Sequence, residues 1–137
     1  MRYKSIVVCE TCIVDAHTNN ISIINLFEDI TAFGFPIVIP QITISVWIER
    51  EDGEVDESIP IDLRIKINDK ELFSRPFKAE FKGKRRTRLL ISLQRFIIEE
   101  AGLLEFIAFQ DNREVLKASI NVTSPPQKEE IAQAEQR

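Results

Sequence analysis

Histidine, cysteine, glycine, tyrosine and tryptophan are scarce in this chain of 137 residues, which holds one His, two Cys, four Gly, one Tyr and one Trp. Each scarcity closes off a class of chemistry. A single histidine, His17, leaves no imidazole pair for a metal cage and only one side chain that normally titrates near neutral pH. No nucleophile-elbow signature accompanies it, and four scattered glycines cannot make the glycine-rich loop that cradles phosphates. The expectation is a protein that is not an enzyme and carries no cofactor. No apolar stretch approaches the ~18 residues of a membrane span. The basic start Met1-Arg2-Tyr3-Lys4 is followed only by Ile6, Val7 and Val8 before Glu10, too short for the apolar region of a signal peptide. A cytoplasmic setting with reduced Cys9 and Cys12 and no membrane contact follows as an expectation.

What the chain has in quantity is branched aliphatic side chains. Its 21 Ile and 8 Val outnumber 9 Leu and 8 Ala within a composition that is 44% hydrophobic and 29% charged. Side chains branched at Cβ are stiff and suit a pleated surface. Their placement follows a period of two. Ile42, Ile44, Val46 and Ile48 alternate with Thr43, Ser45, Trp47 and Glu49, and Ile59, Ile61, Leu63, Ile65 and Ile67 alternate with Pro60, Asp62, Arg64, Lys66 and Asn68. Both stretches read as strands with one buried face. Asn68-Asp69-Lys70 and Asp111-Asn112-Arg113 are tight hairpin connections, because Asn and Asp tolerate positive φ.

Further strands are expected at about 4–15, 20–32, 71–81, 86–94, 103–110 and 114–123. Short strands at close intervals, with glycines between them, predict an all-β, antiparallel β-sandwich (Ig/C2-like) of about eight strands. Pro60 and Pro76 place at least one strand at a sheet edge. Ser124-Pro125-Pro126 ends the last strand, which gives a sandwich domain over 1–124 and a frayed or weakly helical tail over 125–137. Ile42, Ile44, Val46, Ile48, Ile59, Ile61, Leu63, Ile65, Leu89, Ile91, Phe106, Ala108, Leu116, Ala118 and Ile120 are the expected core.

Three stretches carry a resemblance. Cys9-Glu10 leads into Ile13-Val14-Asp15-Ala16-His17-Thr18-Asn19-Asn20-Ile21-Ser22-Ile23-Ile24-Asn25-Leu26-Phe27, Phe35-Pro36 leads to Ile48-Glu49-Arg50-Glu51, and Ile91-Ser92-Leu93-Gln94 leads through Leu104-Glu105-Phe106 to Asn112-Arg113-Glu114-Val115. Over about residues 5–124 the chain resembles an uncharacterised family of short bacterial all-β proteins. The resemblance implies a sandwich domain with no assigned activity and transfers no functional residue.

Several features are candidate sites. Cys9-Glu10-Thr11-Cys12 has redox or zinc spacing, with Asp15 and His17 as further ligands. Residues three apart on a strand face opposite ways, so the sulfurs meet only across a bulge, and buried strand cysteines are the plainer reading. Glu49, Glu51, Asp52, Glu54, Asp56 and Glu57 crowd one loop, which suits solvation or a hard cation such as calcium, though the spacing is not that of an EF-hand. Lys82-Gly83-Lys84-Arg85-Arg86-Thr87-Arg88 puts five cations in seven residues.

The net charge of −4 and the lack of interleaved aromatics argue against nucleic acid there, and a solvated turn that protects a sheet edge is the plainer reading. The acidic and basic segments can also pair with each other, within one molecule, between copies or with a partner. Phe33 to Pro40 is either a connection crossing the core or an exposed contact patch, which Trp47 can extend. The function expected is a non-catalytic interaction or scaffold module that takes a protein partner or associates with itself. The candidate contacts are Lys82, Lys84, Arg85, Arg86, Arg88, Glu51, Asp52, Glu54 and Trp47, and the alternative is an anion or nucleic-acid site at 82–88.

Overall fold

Alternating branched residues set the architecture. The computed structural model describes residues 1–125, and these form nine strands: β1 Arg2–Val14, β2 Ile21–Leu26, β3 Asp29–Thr31, β4 Ile37–Glu49, β5 Ser58–Ile67, β6 Lys70–Glu80, β7 Arg86–Ile98, β8 Gly102–Gln110 and β9 Arg113–Thr123. Most of the expected tail, from residue 126 on, lies outside the described residues. One sheet runs β2-β1-β4-β7 and the other β3-β9-β8-β5-β6. Ile42, Ile44, Val46 and Ile48 of β4 and Ile59, Ile61, Leu63 and Ile65 of β5 bury their side chains between the sheets, with Phe106 and Ile120. Leu89, Leu116 and Ala118 pack against this core but are only half-buried. Val8, Phe81, Ile98, Leu104 and Val122 belong to it as well.

Both expected hairpins close on two residues with left-handed backbone. Asn68 (φ 48°) and Asp69 (φ 65°) join Ile67 to Lys70, and Asp111 (φ 51°) and Asn112 (φ 61°) join Gln110 to Arg113. Positive φ at both central residues matches the right-handed twist of the flanking strands. Asn68 does more than turn the chain. Its Nδ2 donates to Ala101 O at 2.9 Å and its Oδ1 accepts from Leu103 N at 3.2 Å, tying the β5–β6 turn to the start of β8. Between those partners Gly102 has φ 144°, and a Cβ there would lie 2.0 Å from Asn68 Oδ1.

Three differences from the sequence reading have local causes. The stretch 20–32 is two strands, because Asn25 takes φ 54° and the chain then crosses between sheets, leaving β2 on β1 and β3 on β9. The β3–β9 pair is parallel, so the sandwich is not wholly antiparallel and holds nine strands rather than eight. The irregular stretch before Gln41 is the first part of β4. Pro40 and Arg95 (φ 54°) fall opposite each other between the pairs Ile39↔Phe96 and Gln41↔Gln94. Both strands change facing there. Beyond that point Ile37, Ile39, Phe96 and Ile98 turn to the core while Val38 and Ile97 are about half exposed. Phe35 also packs on the core, whereas Phe33 is 88% exposed. The proline expectation is met by β6, an edge strand that carries Pro76.

Two substitutions test this arrangement. Ile44→Asp places an unpaired carboxylate in a site with no exposure and is expected to abolish cooperative folding, read as loss of the thermal transition. A soluble variant that melts normally would mean the facing of β4 is wrong. Gly102→Ala forces both the left-handed backbone and the Asn68 contact, and should lower stability by about 1–3 kcal/mol in urea unfolding.

Candidate functional site

Glu49 ends β4 at only 5% exposure, and three cations gather on its carboxylate. Lys4 Nζ stands 3.3 Å from Oε2, Arg86 Nε 3.3 Å from Oε2, and Arg85 Nε donates to Oε1 at 3.0 Å. Burial works to raise the Glu49 carboxyl, but Lys4, Arg85 and Arg86 outweigh it and hold the group below its ordinary value. Lys4 comes from β1 and Arg86 from the start of β7, each flanking β4 in the sheet.

Around this carboxylate the acidic β4–β5 loop and the basic β6–β7 turn dock on each other. Arg50 N–H donates to Arg85 O at 2.8 Å, and Phe81 N–H donates to Glu57 O at 2.8 Å. The Glu57 carboxylate accepts from Gly83 N–H at 2.9 Å and from Arg50 Nη1 at 3.0 Å, contacts that hold it below the usual carboxylate range. Arg50 Nη2 donates to Lys84 O, while its guanidinium lies 4.8 Å from the Phe81 ring centroid. Arg85 Nη1 reaches Asp52 at 3.0 Å. Glu51 and Glu54 turn instead to the Met1 amino group, with Glu51 also 3.8 Å from Arg2. Of the pairings considered from sequence, acidic segment against basic segment within one molecule is therefore present. Of the six acidic residues that crowd this loop, Glu49, Glu51, Asp52, Glu54 and Glu57 have their carboxylates engaged by these cations or by backbone N–H groups, while Asp56 meets Arg50 through its backbone O. Among the described residues, no three His, Cys, Asp or Glu side chains converge as a metal set.

The second feature is an arm. The β1–β4 ladder ends at Cys9↔Thr43, and from there β1 pairs only with β2. The arm's tip nonetheless touches β7 far back along the sheet. Arg88 Nη2 donates to Asn19 O at 2.8 Å and to Asn19 Oδ1 at 3.1 Å, and Arg88 pairs with Trp47, four residues past Thr43. A straight hairpin would carry Asn19 the opposite way, so the arm doubles back across the outer face of the sheet. That accounts for Thr43 and Ser45, expected on a solvated face but buried at 3% and 0%. Thr43 Oγ1 donates to Glu10 O at 3.0 Å, and Glu10 accepts from the Asn25 amide across the bend.

The bend also overturns the expectation that Cys9 and Cys12 face apart, since their sulfurs lie 3.4 Å from each other. Asp15 and His17 do not join them. At the arm's tip the Asp15 carboxylate caps the turn, accepting from His17 and Thr18 N–H at 2.8 Å each.

Between arm, sheet and turn lies a groove of about 870 Å³. Six cations line it: Lys4, Lys78, Lys82, Lys84, Arg86 and Arg88, against the single carboxylate of Glu80. Lys78, Lys82 and Lys84 make no ion pair among the described residues. Trp47 also borders the groove, half-buried, its indole N–H donating to Ser45 Oγ at 3.1 Å and its ring 5.6 Å from the Arg88 guanidinium. Of the candidates named from sequence, the groove unites Lys82, Lys84, Arg86, Arg88 and Trp47. Arg85 is turned away to Glu49 and Asp52, and Glu51, Asp52 and Glu54 are not among the residues that line it. Lys4, Arg50 and Asn19 were not singled out, because each is remote in sequence from the 82–88 run, and Lys78, four residues before it, reads only as an outward-facing strand lysine.

The model of DUF6941, a family of unknown function, matches residues 4–123. The chain belongs to DUF6941. That span runs from within β1 to the last residue of β9, so the groove and the arm both lie inside the DUF6941 match. It agrees with the resemblance to an uncharacterised family found in the sequence. No curated protein matches the chain. Among the described residues, no helix is long and apolar enough to cross a membrane.

The Glu49 cluster has a signed consequence. Folded carboxyls held below the ordinary 4.5, at Glu49 and Glu57, make the unfolded chain bind more protons as acid is added. Their contribution to stability is full above that value and is lost as pH falls through their folded values. Glu49→Gln should lower the Tm at neutral pH and flatten its decline between about pH 5 and pH 3. Differential scanning fluorimetry across that range measures both, and an unchanged neutral Tm would mean the three cations do not depend on this carboxylate.

Proposed function

We propose that this chain is a non-catalytic β-sandwich module that binds an acidic segment of a partner protein in the basic groove. The supporting observation is the groove's charge, six cations against one carboxylate, in a chain whose net charge is −4. Three of those cations, Lys78, Lys82 and Lys84, have no ion-pair partner among the described residues, which leaves their charge open to a ligand. Electrostatic complementarity of this kind steers encounter and sets specificity, and it weakens as salt screens it. The groove is lined from two edge strands, β6 and β7, whose outer backbone groups are not used by a neighbouring strand among the described residues. An extended peptide can pair with such an edge while its acidic side chains meet the lysines.

Single-stranded nucleic acid is the second reading, and Trp47 among the cations is what favours it. The indole is already engaged, tied to Ser45 and flanked by Arg88, which leaves a poor stacking platform and supports the peptide reading.

Trp47 is the only tryptophan, so its fluorescence reports on the groove directly. Titration with a poly-glutamate peptide should change that signal, with affinity falling steeply between about 50 and 200 mM salt. Lys78→Glu with Lys82→Glu and Lys84→Glu should weaken binding at least about tenfold while the Tm stays nearly constant, because these charges hold no ion pair among the described residues. Absence of peptide binding at low salt would reject this reading, and tighter binding of an oligo-deoxythymidine would favour the second.

A further inference from the structure

Cys9 and Cys12 are the chain's two cysteines, and they sit at the bend where the arm leaves the sheet. Cys9 is fully buried at the last β1–β4 pair, and Cys12 is half-buried. Their sulfurs are 3.4 Å apart, a contact in which one thiol donates to the other, and Cys9 Sγ also donates to Thr11 O at 3.4 Å. Opposite them Asn25 takes φ 54°, and the Glu10–Asn25 hydrogen bond crosses the same bend. A disulfide needs its sulfurs at about 2.05 Å, so closing this pair takes little more than an ångström of side-chain movement. The two thiols are therefore held in near-bonding register by the backbone bend itself.

We propose that Cys9 and Cys12 form a dithiol site that a hydroperoxide oxidises to an intrachain disulfide, stapling the arm in its folded-back position. In the first step the Cys12 thiolate sulfur attacks the outer peroxide oxygen. An S–O bond forms and the O–O bond breaks, and the leaving oxide takes up the proton that Cys12 released. Cys12 becomes a sulfenic acid, having given two electrons to the peroxide, which departs as water or an alcohol. In the second step Cys9 sulfur attacks Cys12 sulfur. The S–S bond forms, the S–O bond breaks, and hydroxide leaves with the Cys9 proton as water. Two thiols and one hydroperoxide thus give one disulfide, one water and one water or alcohol.

The order of attack follows from the surroundings. Burial, and then the contact with Cys12, push the Cys9 thiol up to about 12, so Cys9 stays protonated and does not meet the oxidant first. Contact at 3.4 Å supplies the proximity that a poorly ionised resolving thiol needs. The arm's other anchor is the Arg88–Asn19 clasp at the groove, so the staple would fix the end of the arm opposite that clasp.

Hydrogen peroxide is added in modest excess to the full-length chain at neutral pH, followed by denaturing alkylation and mass spectrometry. The expected product has lost two hydrogens, leaves Cys9 and Cys12 unalkylated, and reverts with dithiothreitol. Cys12→Ser should leave Cys9 unoxidised. Cys9→Ser should stop at a Cys12 sulfenic acid that dimedone traps. Hydrogen exchange over residues 11–24 should slow in the oxidised chain. The proposal is overturned if the wild-type chain stays fully alkylatable, if the disulfide formed links two chains, or if Cys9 oxidises at the wild-type rate in Cys12→Ser.

Discussion

Glu49 carries the heaviest constraint in the charged corner, because a carboxylate at 5% exposure has to be met by positive charge wherever the chain can supply it. It is met from three directions, by Lys4 of β1, by Arg85 of the β6–β7 turn and by Arg86 of β7. Those contacts decide how the remaining charges are spent. Arg85, held to Glu49 and Asp52, leaves the groove. The acidic loop is drawn against the basic turn and locked there by Arg50 and Glu57. Among the described residues, the groove cations left without an ion pair are Lys78, Lys82, Lys84 and Arg88, and of these Arg88 is held by Asn19. A run that reads in sequence as five equivalent cations is thus divided: Glu49 takes Arg85 and Arg86, Asn19 takes Arg88, and Lys82 and Lys84 have no ion pair among the described residues.

The arm stands to the outer face of the sheet as the second sheet stands to its inner face. Without it Thr43, Ser45 and Trp47 would form the solvated face that their parity predicts. With it they are covered, and their polar groups are satisfied locally, Thr43 by Glu10 O and Ser45 by the Trp47 indole. Arg88 is where the two systems touch. The same guanidinium holds Asn19 at the tip of the arm, flanks Trp47 and lines the groove. A ligand that drew Arg88 away would therefore loosen the arm, and an arm held rigidly in place would keep Arg88 where it is.

Most of the sandwich was legible in the sequence, for a plain reason. Where a strand is buried on one face along its length, side-chain alternation records the burial directly, as in Ile42 to Ile48 and Ile59 to Ile67. The turns Asn68-Asp69 and Asp111-Asn112 were legible too, since the residues that tolerate left-handed backbone are few. Reading failed wherever a local backbone event reversed the pattern. Arg95 with Pro40 opposite, Asn25 before the chain changes sheets, and the bend after Cys9 each break the period of two. Arg95 and Cys9 are not residue types that announce such an event, and Asn25 and Pro40 stand singly inside apolar runs, without the paired turn signal of Asn68-Asp69.

The candidate site was half legible, and the missing half shows what spacing cannot encode. The 82–88 run marked one wall of the groove, but Trp47, Lys4 and Lys78 reach it only because β4, β1 and β6 end beside it. Cys9 and Cys12 show the same limit in reverse. Strand periodicity correctly says that residues three apart diverge, and that rule fails here because β1 loses its partner β4 at Cys9. Paired on one side only, the chain is free to curl, and the curl brings the sulfurs together. The termination of a ladder, a fact about β4, thus determines the chemistry open to two residues on β1.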